Sequence, residues 1–251
     1  MTGQFSLEGK TAVITGGSQG IGAAIAERLS TAGANVVIGD LSEPGGSAFT
    51  FVKTNVASEG EVENLLASAI KTHGTLDILV NNAGIHTDYN RIEELEASAL
   101  EKCLNVNTKG VAHGLKHAAK LMADGGAIVN MSSASAVLGV SGLSPYAASK
   151  AAVLALTQTS AVELAPRNIR VNAICPGSVR TPMALADGGE DLLRVEALAT
   201  PLGRICEPEE VAAMTHFLVA SDCSYVTGQS INLCGGLTAG LSDALWTKLG
   251  E

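Results

Sequence analysis

The stretch Thr11-Ala-Val-Ile-Thr15-Gly16-Gly-Ser-Gln-Gly20-Ile-Gly22 decides how the rest of the chain is read. Its first five residues form a short apolar run rich in β-branched side chains, the composition of a buried strand. Glycines follow at 16, 17, 20 and 22, and Gly20 to Thr31 carries the apolar spacing of a helix. Gly16 permits a tight turn, Gly20 lets the backbone approach a bound group, and Gly22 allows the helix to pack closely on the strand. Free N–H groups at the helix start, with the helix dipole behind them, favour an anion there. The spacing is Gly-x3-Gly-x-Gly, not Gly-x-Gly-x-x-Gly, and such turns also recur by chance. Its position between a strand and a helix is what points to a pyrophosphate and hence to a dinucleotide.

Outward from this unit the same alternation continues. Asn35–Gly39, Leu76–Val80, Ala127–Met131, Ile169–Ile174 and Gln229–Leu233 read as strands, and a further strand is implied from Phe49 onward. Helices are expected over Glu59–Thr72, over an unbroken Ser98–Met122, and over Pro145–Ala165 and Pro208–Ala220. Strands that are apolar throughout are buried on both faces, as in a parallel sheet under helices. The expected fold is therefore α/β: a Rossmann-type doubly wound parallel sheet of about seven strands, helices on both faces, one domain over residues 1–251. Two segments break the rhythm. Leu41 to Ala48 includes Pro44-Gly45-Gly46 and is too short for a helical crossover, so a bare loop is expected. Residues 182–201 are long, partly helical and interrupted by Gly188-Gly189, which suits a substrate lid.

Composition narrows the function. Only 16% of the 251 residues are charged while 46% are hydrophobic, which excludes a disordered chain. With 16 basic against 25 acidic residues the net charge is −9, unsuited to a general nucleic-acid binder and unfavourable for docking an acidic carrier protein. Five cysteines without a Cys-x-x-Cys pair give neither a disulfide framework nor a zinc site, so a reducing, cytoplasmic setting is expected and no metal. Met1 to Lys10 carries no secretory signal, and no apolar run reaches the ~18 residues of a membrane span.

Asp40 ends the second strand, 18 residues past Gly22, where a carboxylate can accept from ribose hydroxyls. It would repel a 2′-phosphate: unit charges ~4 Å apart at an effective dielectric of ~20 interact by about 4 kcal/mol. No Lys or Arg lies in Gly16–Gly22 or Leu41–Ser47, so NAD is expected over NADP. Further on, Ser144-Pro-Tyr146-Ala-Ala-Ser-Lys150 opens a helix, with Tyr146 and Lys150 four apart on one face. Ser133 lies 13 residues before Tyr146, at the end of the preceding strand. A phenol, an ammonium and a hydroxyl can then meet at the carboxyl end of the sheet, where such folds bind ligands.

With these pieces the chain resembles the short-chain dehydrogenases/reductases over essentially its whole length. The matching motifs are Thr15–Gly22, Asn81-Asn-Ala-Gly84, Asn107, Ser133, Tyr146-Ala-Ala-Ser-Lys150 and Pro176-Gly177, in the family's order and spacing. The resemblance implies catalytic roles for Asn107, Ser133, Tyr146 and Lys150. Tyr146 would be the general acid/base, and Lys150 would bind the nicotinamide ribose and lower the Tyr146 pKa. Ser133 would bind the substrate oxygen, and Asn107 would hold a water joining Lys150 to solvent. Around the cofactor it implies Gly16, Ser18, Gln19, Gly20 and Ile21 at the pyrophosphate and Asp40 at the ribose. Asn55 and Val56 would stand beside the adenine, and Asn82, Ala83 and Gly84 on the adenosine side. Pro176, Gly177, Val179 and Thr181 would lie on the nicotinamide side. Asn55 departs from the acidic residue often found there. The pocket would comprise Ser133, Ser135, Val137, Leu143, Tyr146, Met183 and Leu185, mostly apolar, fitting a small or medium hydrophobic secondary alcohol or ketone.

A homotetramer is also implied, built on two long helices and the C-terminal region. A ketoacyl carrier-protein reductase and a non-catalytic NAD-binding sensor are the alternatives; the four-residue Tyr146–Lys150 spacing argues against the enoyl-reductase branch. Weaker signals are His113 and His117, read as a helix face because Gly114 replaces a zinc protease's glutamate. His86, Asp88 and Tyr89 are expected at the rim of the site, and Cys175 in the core.

Overall fold

In the computed structural model, which describes residues 4–45 and 49–249, the apolar runs become one seven-stranded parallel sheet. The strands are β1 (Thr11–Thr15), β2 (Asn35–Asp40), β3 (Thr50–Lys53), β4 (Ile78–Asn81), β5 (Ala127–Met131), β6 (Arg170–Pro176) and β7 (Ser230–Leu233). Their order is β3-β2-β1-β4-β5-β6-β7. Eight α-helices are described: α1 (Gly20–Thr31), α2 (Glu59–His73), α3 (Ala97–Cys103), α4 (Gly110–Leu121), α5 (Ser144–Leu164), α6 (Pro182–Ala199), α7 (Pro208–Val219) and α8 (Asp243–Leu249).

Alternate residues of each strand feed opposite cores, because side chains of a strand point to opposite faces. Ala12, Ile14, Val36, Ile38, Val80 and Val129 meet Ile25, Leu29, Val211 and Leu218 of α1 and α7. Val13, Val37, Leu79, Ile128 and Val171 meet Leu65, Leu66, Leu115 and Val153 of α2, α4 and α5. Each such aliphatic side chain contributes about 1.5–3 kcal/mol when fully withdrawn from water. A glycine lets one helix come unusually close: a Cβ on Gly39 of β2 would stand 2.3 Å from Leu65 of α2.

The chain runs β1 to β2 to β3 outward, then returns to set β4 on the other side of β1. The connections leaving the carboxyl ends of the paired β1 and β4 therefore run to opposite faces, α1 to one and α4 to the other, and such a switch point is where folds of this class form a ligand crevice.

Two expectations are corrected. The unbroken helix over Ser98–Met122 is interrupted: residues Leu104–Lys109 between α3 and α4 form a π turn. Its side-chain spacing does not betray it, because one extra residue per turn still leaves apolar residues on the buried side. Residues 182–201 are more helical than expected, α6 covering Pro182–Ala199 with one break at Gly189 (φ 62°, ψ −158°), a conformation that needs glycine. In the short second crossover Leu41–Gly45 is non-helical, as expected; 46–48 lie outside the described residues. No helix among the described residues is long and apolar enough to cross a membrane.

Candidate active site

The glycine turn sits at the mouth of the crevice. Gly16 and Gly20 adopt φ of +65° and +54°, where a side chain would be strained. Gly22 is demanded by contact rather than by conformation. A Cβ there would stand 2.0 Å from the Gly16 carbonyl oxygen and 2.6 Å from Asn82 Nδ2. The close packing expected of Gly22 is thus against the turn and Asn82. Asn82 staples the turn from β4, its amide donating to the Thr15 and Gly16 carbonyls at 3.0 and 2.9 Å. Thr15 holds the loop in return, its hydroxyl accepting from the N–H groups of Asn82 and Ala83 at 3.0 and 3.1 Å.

Asp40 stands beside the same turn. Its carboxylate accepts from Ser18 N–H at 3.0 Å and Leu41 N–H at 2.7 Å, and Ser18 Oγ donates to the Ser42 carbonyl. Asp40 is therefore fixed in place with acceptor capacity to spare. Gln19 is the N-cap of α1 and Ile21 packs on the core behind it. Thr181 lies against Gly20, 3.5 Å from the position of a Cβ there, and its hydroxyl caps α6 by accepting from Ala184 N–H. Pro176 ends β6. Gly177 follows tight against Cys234, and Val179 is buried beside the bridge to Cys206. The adenine-side pair is divided: Asn55 is exposed with its side-chain oxygen accepting from Ala57 N–H, whereas the Val56 side chain is buried against Gly110.

The catalytic candidates come from three elements. Pro145, in the first turn of α5, precedes Tyr146, half-buried, one turn before the buried Lys150. Lys150 Nζ lies 5.7 Å from the centre of the Tyr146 ring and donates to the Met131 carbonyl at 2.8 Å. Gly84 makes room for it: a Cβ there would sit 3.1 Å from Lys150 Nζ and 3.2 Å from Asn107 Oδ1. Ser133 stands two residues past β5 and caps the turn that follows, accepting from Ser135 N–H at 3.2 Å and from Ser135 Oγ at 3.0 Å.

Asn107 comes from the π turn. Its amide donates to the Ile85 carbonyl at 2.8 Å and Ser149 Oγ at 2.9 Å, and its Oδ1 accepts from Ile85 N–H at 2.8 Å. The side chain is thus occupied in holding the Asn82–Ile85 loop against α5. Ser149, which lies within the Tyr146-Ala-Ala-Ser-Lys150 motif but carries no role in the sequence reading, completes this link by donating to the Tyr146 carbonyl at 2.7 Å.

Electrostatics run against one expectation. Burial pushes the Tyr146 phenol above its ordinary value, and the Ser133 hydroxyl pulls it only partly back. Burial also draws the Lys150 ammonium down to about 8. Lys150 does not lower Tyr146 in this state because its ammonium is turned to the Met131 carbonyl, and desolvation disfavours both charged forms.

Of the pocket candidates, Ser135 is buried and Leu143 half-buried, while Val137, Met183 and Leu185 are exposed. His86 is half-buried and Tyr89 exposed. His86 packs edge-on to Tyr146, and Asp187 of α6 faces both His86 and Tyr89, a partner that sequence spacing could not foresee. His113 and His117 have separate partners, the Val56 carbonyl and Glu59. Cys175 is fully buried, and all five thiols are free. A second buried polar chain was also missed. Asn81 donates to Asn130 at 2.8 Å and Asn130 to Thr157 at 3.0 Å, tying β4 and β5 to α5 beneath the site.

Comparison with known proteins agrees with this geometry. The family described as enoyl-(acyl carrier protein) reductase matches residues 16–238. The chain is 40% identical to the 3-oxoacyl-[acyl-carrier-protein] reductase FabG of Thermotoga maritima, covering 92% of this chain and 98% of the relative. The chain belongs to the short-chain dehydrogenase/reductase family. It is 39% identical to a cis-4-hydroxycyclohexanecarboxylate dehydrogenase of Sinomonas cyclohexanicum, covering 92% of this chain and 97% of that one. Among solved structures, the ligand-free aldohexose dehydrogenase of Thermoplasma acidophilum superimposes with a TM-score of 0.89 at 32% identity, over 95% of this chain and 97% of that one. As a member of this family the protein is an oxidoreductase, and the family binds a nicotinamide cofactor. The residues present fit such a group: left-handed glycines at 16 and 20, a bare Gly84 beside Lys150, and a fixed carboxylate at the β2 end.

Proposed function

We propose that this protein is an NAD-dependent dehydrogenase/reductase interconverting a small or medium hydrophobic secondary alcohol, cyclic or aryl, with its ketone. The observation that carries this is the meeting of Tyr146 and Lys150 on α5, 5.7 Å from ring centre to ammonium, beside Ser133. The bound dinucleotide would supply the hydride chemistry. Gly16, Ser18, Gln19, Gly20 and Ile21 would hold its pyrophosphate and Asp40 its adenosine ribose. Asn55 and Val56 would flank the adenine, and Asn82, Ala83 and Gly84 the adenosine side. Pro176, Gly177, Val179 and Thr181 would bound the nicotinamide side. Tyr146 takes the proton from the alcohol oxygen or returns it to the ketone oxygen. Ser133 donates a hydrogen bond to that oxygen as charge develops on it. Lys150, released from the Met131 carbonyl toward the ribose, brings its positive charge to bear on the phenol. Asn107 holds the loop that frames both, and a water beside it would link Lys150 to solvent.

Asp40 supports NAD over NADP, since a carboxylate at the end of β2 would repel a 2′-phosphate there and no cation stands in Gly16–Gly22 or Leu41–Ser47. The five free thiols support a reducing, cytoplasmic setting. The Thermotoga relative favours a second reading, a ketoacyl carrier-protein reductase. Asp40 weighs against it, and so does a net charge of −9, which would repel an acidic carrier. Steady-state kinetics on a panel of secondary alcohols and ketones with both dinucleotides tests the proposal. NAD should exceed NADP in kcat/KM, and Tyr146→Phe should lose about 10²–10⁴-fold in turnover while keeping NAD affinity. Preference for NADP, or full turnover by Tyr146→Phe, would overturn it; a sensor would keep its output in that variant.

A further inference from the structure

The mouth of the site carries one polar cluster among apolar neighbours. Asp187, in the first half of α6 and with its side chain only 18% exposed, places Oδ1 3.8 Å from Nε2 of His86. The Tyr89 hydroxyl faces the same carboxylate, and burial together with that carboxylate holds the Tyr89 phenol well above its ordinary value. Tyr89 in turn is seated on Gly142 (φ +85°), where a Cβ would come 3.1 Å from its own Cβ. The His86 ring lies between the two tyrosines, 6.3 Å from Tyr89 and 6.5 Å from Tyr146, crossing the latter edge-on at 89°.

The hydrogen on His86 can be located by its neighbours. Nδ1 is 3.1 Å from the Thr87 carbonyl, which can only accept, so Nδ1 carries a hydrogen. A neutral ring then turns a bare lone pair at Nε2 toward Asp187, and a second proton converts this to a charge-assisted contact. Two groups able to donate to a carboxylate, His86 and Tyr89, thus converge on one. With His86 neutral the cluster is negative; with His86 protonated it is neutral but its donors are taken. In either case a substrate anion finds this place filled. The pocket candidates Val137, Leu143, Met183 and Leu185 are apolar and offer an anion nothing.

We propose that Asp187 is a specificity-determining residue: set against His86, whose ring meets Tyr146 edge-on, and facing Tyr89, its carboxylate turns away alcohols that carry an anionic group and admits uncharged ones. The proposal deepens the alcohol dehydrogenase reading and rests on it for the word substrate. Asp187→Asn removes the charge and keeps the shape, leaving the Tyr89 hydroxyl, and the His86 Nε2–H once the ring is doubly protonated, to receive an incoming carboxylate.

The test is a calorimetric titration of the whole chain, with and without NAD, using cyclohexanecarboxylate and the neutral cyclohexanecarboxamide as probes. Asp187→Asn should tighten the carboxylate by about tenfold or more, a difference of about 1.4 kcal/mol, and change the amide by less than about twofold. Adding His86→Leu and Tyr89→Phe to that variant, which removes both donors, should abolish the gain. Asp187→Ser, which also removes the charge, gives the same readout should Asp187→Asn melt early. An unchanged carboxylate affinity in the charge-free variants, or an equal gain for the amide, would overturn the proposal. Kinetics on a carboxylate-bearing alcohol and its methyl ester run alongside. If no alcohol or ketone of the panel is turned over with either dinucleotide, the dehydrogenase reading fails, while the titration still decides the role of Asp187.

Discussion

Lys150 shows how far a buried cation in this site is from its behaviour in water. Its folded value, about 8, lies below the ordinary 10.5 because burial disfavours the charged form. Below about pH 8 the folded and unfolded chains both carry the proton. Between about 8 and 10.5 the unfolded chain holds it and the folded one does not, so stability rises with pH across that window. Tyr146 acts higher: its raised value means that the unfolded phenol ionises first, and stability then falls above about pH 10. We expect the cofactor-free protein to gain on the order of 1–2 kcal/mol relative to Lys150→Met between about pH 8 and 9.5. Denaturant melts at several pH values measure this, and parallel curves for the two proteins would refute it. The sequence alone brings Tyr146 and Lys150 together, since four residues make one helical turn. It says nothing of the carbonyl at Met131 that claims the ammonium, because that contact joins α5 to β5. For the same reason Asp187 stayed hidden. Nothing local to α6 announces that a loop about a hundred residues earlier in the chain supplies its partners.

Among the elements, α1 depends most on a single missing atom. Its third residue, Gly22, lies so close to the Gly16 carbonyl that a methyl group must push the helix start away from the turn. Gly22→Ala should lower stability by about 1–3 kcal/mol, the range for overpacking a tight site. It should weaken dinucleotide binding more than it slows turnover at saturation. Thermal melting and a binding titration check both; an unaltered dissociation constant would contradict the assignment. The strand–turn–helix unit was legible because its glycine positions and β-branched run are local signals. The π turn at Leu104–Lys109 was not, since the apolar spacing of a helical segment scarcely changes over one widened turn. What the turn achieves is positional: it presents Asn107 inward to the Ile85 backbone and Ser149. Such turns are frequent at functional sites.

Over the whole molecule, several apolar side chains remain uncovered. Val162 on the outer side of α5 is 77% exposed, Tyr225 is fully exposed, and Trp246 projects from α8. An isolated chain gains nothing from these exposures, and the long helices with the C-terminal region are where the family resemblance implies contacts between subunits. We expect light scattering to give about four times the 25.5 kDa chain mass. Val162→Asp should shift the distribution to smaller species; a monomer in the wild type would refute the assembly. The layer order was readable in advance from apolar runs that lack alternation, and the loop at residues 41–45 from its proline and glycine.

The return of the chain from β3 to β4 has a consequence for biosynthesis. β1 is the first strand made, yet its second neighbour begins only at Ile78. A ribosome that has produced β1, β2 and β3 has therefore left an inner strand of the finished sheet with one edge bare. Unpaired, apolar strand edges invite association with other chains. That edge of β1 stays bare until α2 and β4 have been made.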